Sequence, residues 1–176
     1  MSNSRVVYQI HTPEEFRGGH SAARRLDFEQ LRRLFELTAF WGRDRSIEQL
    51  QIAVRNSEPV VSAHIGDRLL GFARATSDGI YRATIWDVIV HPDFQGSGIG
   101  RKLVETVLSH PHVSHAERVY LMTTHQQRFY EKVGFSVNST TTMVLFNQEL
   151  PVSCQTSDRS AEALALAEVV ELPQTP

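Results

Sequence analysis

From Phe28 to Phe40 the chain reads FEQLRRLFELTAF, with Leu31, Leu34, Phe35 and Leu37 at the three-to-four spacing that gathers apolar side chains on one helix face. SIEQLQIAVRNS repeats the pattern from Ser46, and Gln49 three residues on completes a capping-box signature. Two consecutive helices are predicted. The period then changes. PVVSAHIGDRLLGFARATSDGIYRATIWDVIV holds three β-rich runs separated at Gly66-Asp67 and Asp78-Gly79, dipeptides that suit tight hairpin turns, so an antiparallel meander is expected. Upstream, RVVYQI over 5–10 reads as a short strand, and HTPEEFRGGHSAARR as loop or irregular helix.

After the meander, Ile99, Leu103, Val104, Val107 and Leu108 share one face of a helix that stops near Pro111. ERVYLMT is a further β run, HQQRFYEKVG a helix closed by Gly134, and TTTMVLFN a last strand. Beyond about Gln148 the composition turns to Ser, Thr, Pro and Ala. The reading is one domain over 1–148 and a flexible tail over 149–176.

Charge narrows the function classes. Lys plus Arg is 18 and Asp plus Glu is 20, a formal net charge of −2, which supplies no field for gripping a polyanion, so nucleic acid is not an expected partner. The single Cys154 has no partner thiol, and neither a signal-like apolar core nor a membrane-length apolar window is seen; a soluble, cytoplasmic protein is expected. HPHVSH brings His110, His112 and His115 together without a Cys or acidic ligand at useful spacing, so no metal is expected.

The chemistry concentrates in VIVHPDFQGSGIGRKLVETVL, residues 88 to 108. A strand, a turn with Gly96, Gly98 and Gly100, and a helix form a device for binding phosphate: glycine lets the backbone approach, and the first-turn N–H groups with the helix dipole face the anion. A Walker loop fails because Lys102 is followed by Leu103, where a hydroxyl is required. A dinucleotide fingerprint fails because its third glycine falls on Arg101.

The pattern that remains is Gln/Arg-x-x-Gly-x-Gly/Ala, matched by Gln95, Gly98 and Gly100. With FYEKVGF at 129–135, and with the order of elements, this stretch resembles the GNAT superfamily, the Gcn5-related N-acetyltransferases, over roughly residues 28–147. More narrowly, IWDVIVHPDFQGSGIG and YLMTTHQQRFYEKVGF resemble the small acetyltransferases of cyanobacteria and red-algal plastids, relatives of plant plastid enzymes.

The resemblance implies an α/β (α+β) fold: a mixed, mostly antiparallel sheet of six to seven strands, flanked by about four helices. Its V-shaped splay, between the strand ending at Val90 and the one ending near Met122, would hold acetyl-CoA as co-substrate. It implies that the backbone from Gln95 through Gly96, Ser97, Gly98, Ile99 and Gly100 to Arg101 holds the pyrophosphate, and that Val88, Ile89 and Val90 offer main-chain groups to the pantetheine arm. Tyr130 stands where the family's Tyr protonates the departing thiolate, and Thr123 where an Asn often touches the cofactor.

Acetyl transfer also needs a base to take the proton of the acceptor ammonium. Asp87, the one charge inside ATIWDVIV, is the candidate, with a structural Asp at a strand irregularity as the alternative. The family more often places its base three residues earlier, where this chain has Thr84. His125 is a second candidate. The expected acceptor is a primary amine, either a protein lysine or N-terminus or a small arylalkylamine such as serotonin, with Phe35, Phe40, Trp41 and Trp86 as possible walls of an aromatic pocket. The expected assembly is a monomer or homodimer, and the rival function is a non-catalytic acetyl-CoA-binding interaction module.

Overall fold

The structure, a computed structural model, describes residues 5–16, 25–39 and 41–145. The chain divides into two compact units, Met1–Ser136 and Val137–Pro176. The first contains all the regular elements among the described residues: β1 (Val7–His11), α1 (Pro13–Phe16), α2 (Phe28–Thr38), α3 (Ile47–Arg55), β2 (Val60–Ile65), β3 (Arg68–Ser77), β4 (Arg82–Val90), α4 (Ile99–Ser109), α5 (Pro111–Ser114), β5 (Arg118–Tyr120) and α6 (Gln127–Glu131).

Five strands form one sheet in the order β1-β2-β3-β4-β5, antiparallel through β4 and parallel between β4 and β5. The meander and the long helices lie where the hydrophobic periods put them. Asp27 caps α2 by accepting from the N–H groups of Glu29 and Gln30, and Ser46 with Gln49 closes a capping box on α3. Pro111 does more than end α4, because its fixed φ opens the single-turn α5.

Two expectations need correction. The sheet has five strands among the described residues, where six to seven were expected. TTTMVLFN is not a strand over its described part, 140–145; in the second unit, Asn138 instead bonds to Thr140. β-branched residues raise strand propensity, but without a hydrogen-bonded partner edge propensity makes no strand. The expected tail beyond 149 lies outside the described residues, as does Cys154.

Helices cover both faces of the sheet. On one face Ile99, Leu103, Val104 and Val107 of α4 pack against Val61, Ala63, Leu70, Ala73, Ala75, Ala83 and Ile85. The small residues bring α4 close: a Cβ on Gly71 would sit 2.9 Å from Leu103 Cδ1. On the other face Leu31, Leu34 and Phe35 of α2 and Leu50 and Val54 of α3 cover Val60, Leu69, Phe72 and Ile89. No helix among the described residues is long and apolar enough to cross a membrane.

Ile85 and Ile89 lie on opposite faces although they are four residues apart, which in an uninterrupted strand would put them on the same face. The cause is a β-bulge. Between the pairs Arg74↔Trp86 and Phe72↔Ile89, β3 advances two residues and β4 three. The extra residue lies at Asp87, which adopts φ 53°, the left-handed region unusual for a side-chain-bearing residue. Past the bulge, Val88 and Val90 turn to the α4 side.

Candidate active site

β4 and β5 pair only through Arg82↔Arg118, Ala83↔Val119 and Thr84↔Tyr120, and β5 ends at Tyr120. From Ile85 to Val90, β4 therefore has no strand on its β5 side among the described residues. That is the expected splay, and it opens two residues earlier than Met122. His91 N–H donates to Leu70 O at 2.7 Å, so by alternation the Val90 carbonyl points away from β3. Gln95 Nε2 donates to it at 3.0 Å, which ties the first residue of the glycine motif to the open edge.

The turn that follows is built from backbone. Gly96 and Gly98 adopt φ 76° and 90°, and a Cβ on either would meet nothing within 4 Å, so conformation requires glycine there and crowding does not. Gly98 is the N-cap of α4 and offers no side chain to its first turn, unlike Asp27 on α2 or Ser46 on α3. The first-turn N–H groups, Ile99, Gly100 and Arg101 among them, have no intrahelical acceptor. Ser97 Oγ donates to Phe94 O, bracing the turn. Ile99 is buried in the core, whereas Arg101 is exposed with its Nε 2.7 Å from Glu105 Oε1.

Gly100 joins this turn to α6, since a Cβ there would lie 3.5 Å from Val90 Cγ2 and 3.7 Å from Phe129 Cζ. The Tyr130 ring follows directly, edge-on to Phe129 at 4.8 Å and to Phe135 at 6.0 Å. Gly134 (φ 105°) ends the helix and lets Phe135 N–H reach Tyr130 O. Burial raises the Tyr130 phenol above its ordinary pKa, which keeps it protonated and able to donate. Thr123 Oγ1 accepts from Gln126 N–H at 3.1 Å and so braces the approach to α6. His125 is exposed.

The opposite face of β4 is built from side chains. Arg74, Thr76, Thr84 and Trp86 share the α2–α3 side with Tyr120, as their register and alternation require. Trp86 Nε1 donates to Thr76 Oγ1 at 2.9 Å, and Arg74 lies over the Trp86 ring at 5.9 Å. Asp87, its side chain only 6% exposed, accepts from Arg74 Nε at 2.6 Å on Oδ2 and from Arg45 NH1 at 3.0 Å on Oδ1. Arg74 NH1 also donates to Ser57 Oγ at 3.0 Å. Of the expected aromatic walls, Phe35 is core beneath the Arg45 guanidinium, Trp41 is 53% exposed and Trp86 lies on the β4 floor, while Phe40 lies outside the described residues. A cavity of about 260 Å³ bordered by Phe16, Leu26, Phe28, Gln51 and Arg55 includes none of these site residues.

Arg74 and Arg45 escaped the sequence reading. Arg74 left a signal, because a lone cation in the apolar run LLGFARATS and a lone anion in ATIWDVIV, on strands joined by a tight turn, are natural partners. Arg45 left none. Of the histidines in HPHVSH, His110 and His112 face Glu58 at 4.0 and 3.6 Å. Burial holds His110 below its ordinary pKa against the pull of that carboxylate. Among the described residues no three His, Cys, Asp or Glu side chains are grouped to hold a metal.

A strand splayed from its parallel neighbour, a glycine turn and an uncapped helix meet beside a partly buried tyrosine. The acetyltransferase (GNAT) family matches this chain over residues 25–135, which spans all of those elements. The chain belongs to the GNAT family. An N-acetyltransferase of Pyropia yezoensis, ycf52, is 36% identical over 96 residues, covering 52% of this chain and 55% of its own length. The histone acetyltransferase TAP1 of Glycine max is 42% identical over 79 residues, 39% of this chain and 34% of that one. The GNAT chain thus spans about half or less of the length of these relatives. A GNAT-family acetyltransferase structure, SP0256 from Streptococcus pneumoniae, superimposes with TM-score 0.63 over 82% of this chain and all of that one at 23% identity, which shows the same fold.

Proposed function

We propose that this GNAT domain transfers the acetyl group of acetyl-CoA directly to a primary amine, and the observation that carries the reading is the uncapped glycine start of α4 beside the open edge of β4. The residues fit the cofactor. Gly96 and Gly98 leave a cradle where side chains would stand, the first-turn N–H groups of α4 lack acceptors, and Gly100 is glycine although its surroundings would admit a Cβ. Val90 supplies an edge amide to an extended arm, as strand addition does. Bound acetyl-CoA supplies a thioester whose carbonyl carbon accepts the amine.

The residues of the chain manage two protons. Asp87, directly or through a water, takes one proton from the acceptor ammonium, giving the neutral amine that forms the new C–N bond. As the C–S bond breaks, the Tyr130 hydroxyl gives its proton to sulfur, and the second N–H proton, which the nitrogen loses as it becomes an amide, passes through solvent and reprotonates the phenol. Burial of Tyr130 suits this, since a raised pKa holds the phenol protonated at neutral and mildly alkaline pH. Lysine side chains and small arylalkylamines both meet these requirements.

The test is release of free thiol from acetyl-CoA with a panel of lysine peptides and arylalkylamines, measured above the hydrolysis blank, with the acetylated product identified by mass. Amine-dependent release with the acetyl group on nitrogen is expected. Tight acetyl-CoA binding without release for any amine would leave a binding module instead.

A further inference from the structure

Asp87 has one negative charge and two guanidinium partners, and the partners are unlike. Arg74 belongs to β3, is 14% exposed, and is fixed at three points: Asp87 Oδ2, Ser57 Oγ and the Trp86 ring. Arg45 comes from the α2–α3 connection, outside any helix or strand, and is 32% exposed. It reaches Asp87 Oδ1 through a single terminal nitrogen while its guanidinium rests on Phe35 at 4.9 Å. One cation is therefore built into the sheet. The other covers the carboxylate from outside.

This arrangement bears on the acceptor, so the inference rests on the reading of amine acetylation above. While Arg45 holds Oδ1, that oxygen faces a donor that takes no proton, because a guanidinium is charged throughout the accessible pH range. An acceptor amine also arrives as a cation. We propose that Arg45 is a stand-in for the acceptor ammonium: it occupies the ammonium's place on Asp87 Oδ1 and is exchanged for it when the acceptor binds.

The exchange conserves charge. A nearly buried carboxylate stripped of a partner is costly, but replacing one cation by another leaves Asp87 paired throughout. It also delivers the ammonium proton to the oxygen that will take it. Arg74 keeps Oδ2 in both states and so fixes the carboxylate's orientation. The half-buried floor beside it, Thr76, Thr84, Trp86 and Tyr120, lies on the same face and receives the carbon chain behind the ammonium. The two tryptophans of the chain, Trp41 and Trp86, give the exchange an optical readout.

Arg45→Ala and Arg45→Gln remove the competing cation, and Arg45→Lys keeps one. Phenethylamine binding is followed by tryptophan fluorescence without acetyl-CoA, and the amine KM and kcat are then measured with acetyl-CoA at saturation. The stand-in reading expects Arg45→Ala and Arg45→Gln to tighten amine binding and lower KM about fivefold, with kcat changed far less, the scale of losing one partly exposed ion pair. Arg45→Lys should restore the weaker wild-type binding.

Unchanged or weaker amine binding in both neutral variants overturns the proposal. A raised KM confined to acceptors carrying a carboxylate also overturns it, and would make Arg45 an anion reader. If Arg45→Ala does not fold, Arg45→Gln decides alone, because it keeps the polar stem over Phe35. A wild-type protein that turns over no amine defeats the acetylation reading, while the fluorescence contrast still decides the exchange.

Discussion

On its α4 face, the second half of β4 meets its surroundings through backbone: Val88 and Val90, the Val90 carbonyl tied to Gln95, and a glycine turn that leaves the α4 amides open. On its α2–α3 face the same strand works through side chains, with Asp87 between two guanidiniums and Trp86 tied to Thr76. A backbone site is blind to side-chain identity but sensitive to any Cβ that fills its space. A side-chain site is the reverse, so the two faces should answer mutation in opposite ways.

The largest break expected is Asp87→Asn. It keeps the size of the side chain and removes its charge, so kcat should fall about a hundredfold or more while the acetyl-CoA Kd, read by calorimetry, stays put. It also leaves Arg74 and Arg45 without their anion, and the unfolding midpoint in urea should drop. An unchanged kcat would make the residue structural only.

Next comes Tyr130→Phe, with a loss in kcat of about ten- to a hundredfold. The direction of its pKa shift adds a sharper check. Because burial raises the phenol's pKa, its protonated form persists above the ordinary value near 10, so wild-type kcat at saturating amine should not decline between pH 8 and 10. A falling alkaline limb in that window would argue against Tyr130 as the proton donor.

Gly100→Ala sharpens the contrast because its two effects have opposite signs. The added Cβ makes only ordinary contacts with Val90 and Phe129 and improves helix propensity, so stability should rise by about 0.5 kcal/mol. Acetyl-CoA binding should weaken several-fold, since the methyl enters the space beside the open amides. Thermal melts and calorimetry on one preparation read both.

The smallest effect concerns the buried polar line on the α2–α3 side, where His11 Nε2 and His64 Nε2 both meet Ser62 Oγ at 2.8 Å and Glu15 lies 3.1 Å from His11 Nδ1. Burial lowers the His11 pKa despite Glu15, so the folded state holds the neutral ring while the unfolded chain takes up a proton near pH 6.5. Stability is then full above that pH and is lost as pH falls below it, by at most about 1.4 kcal/mol per unit. Thermal midpoints from pH 7.5 to 5.5 should show the decline, and His11→Asn should flatten it.

How much of this was legible in the sequence follows the same division. Period and turn chemistry were enough for the meander, for α2 to α4 and for the glycine turn, because each is a local pattern. Asp87 stood out as a lone charge, but its φ of 53° and the bulge it carries come from register against β3, which no local pattern records. Arg45 is 42 residues from its partner and sits in a connection with no period at all. The strand expected over TTTMVLFN fails for the converse reason: propensity is local, and pairing is not.

The bulge also gives β4 an arithmetic of its own. Before it, odd-numbered residues belong to the α4 side; after it, even-numbered ones do. Flattening the bulge at constant length would carry the first parity through unbroken and turn Val88, Ile89 and Val90 each through half a revolution. Ile89 would leave its core, and the carbonyl that Gln95 holds would point into the sheet. Deleting Asp87 removes the bulge and its extra residue together and keeps Val88, Ile89 and Val90 on their present faces, so a variant lacking residue 87 should fold with both cores intact and lose only the carboxylate between Arg74 and Arg45.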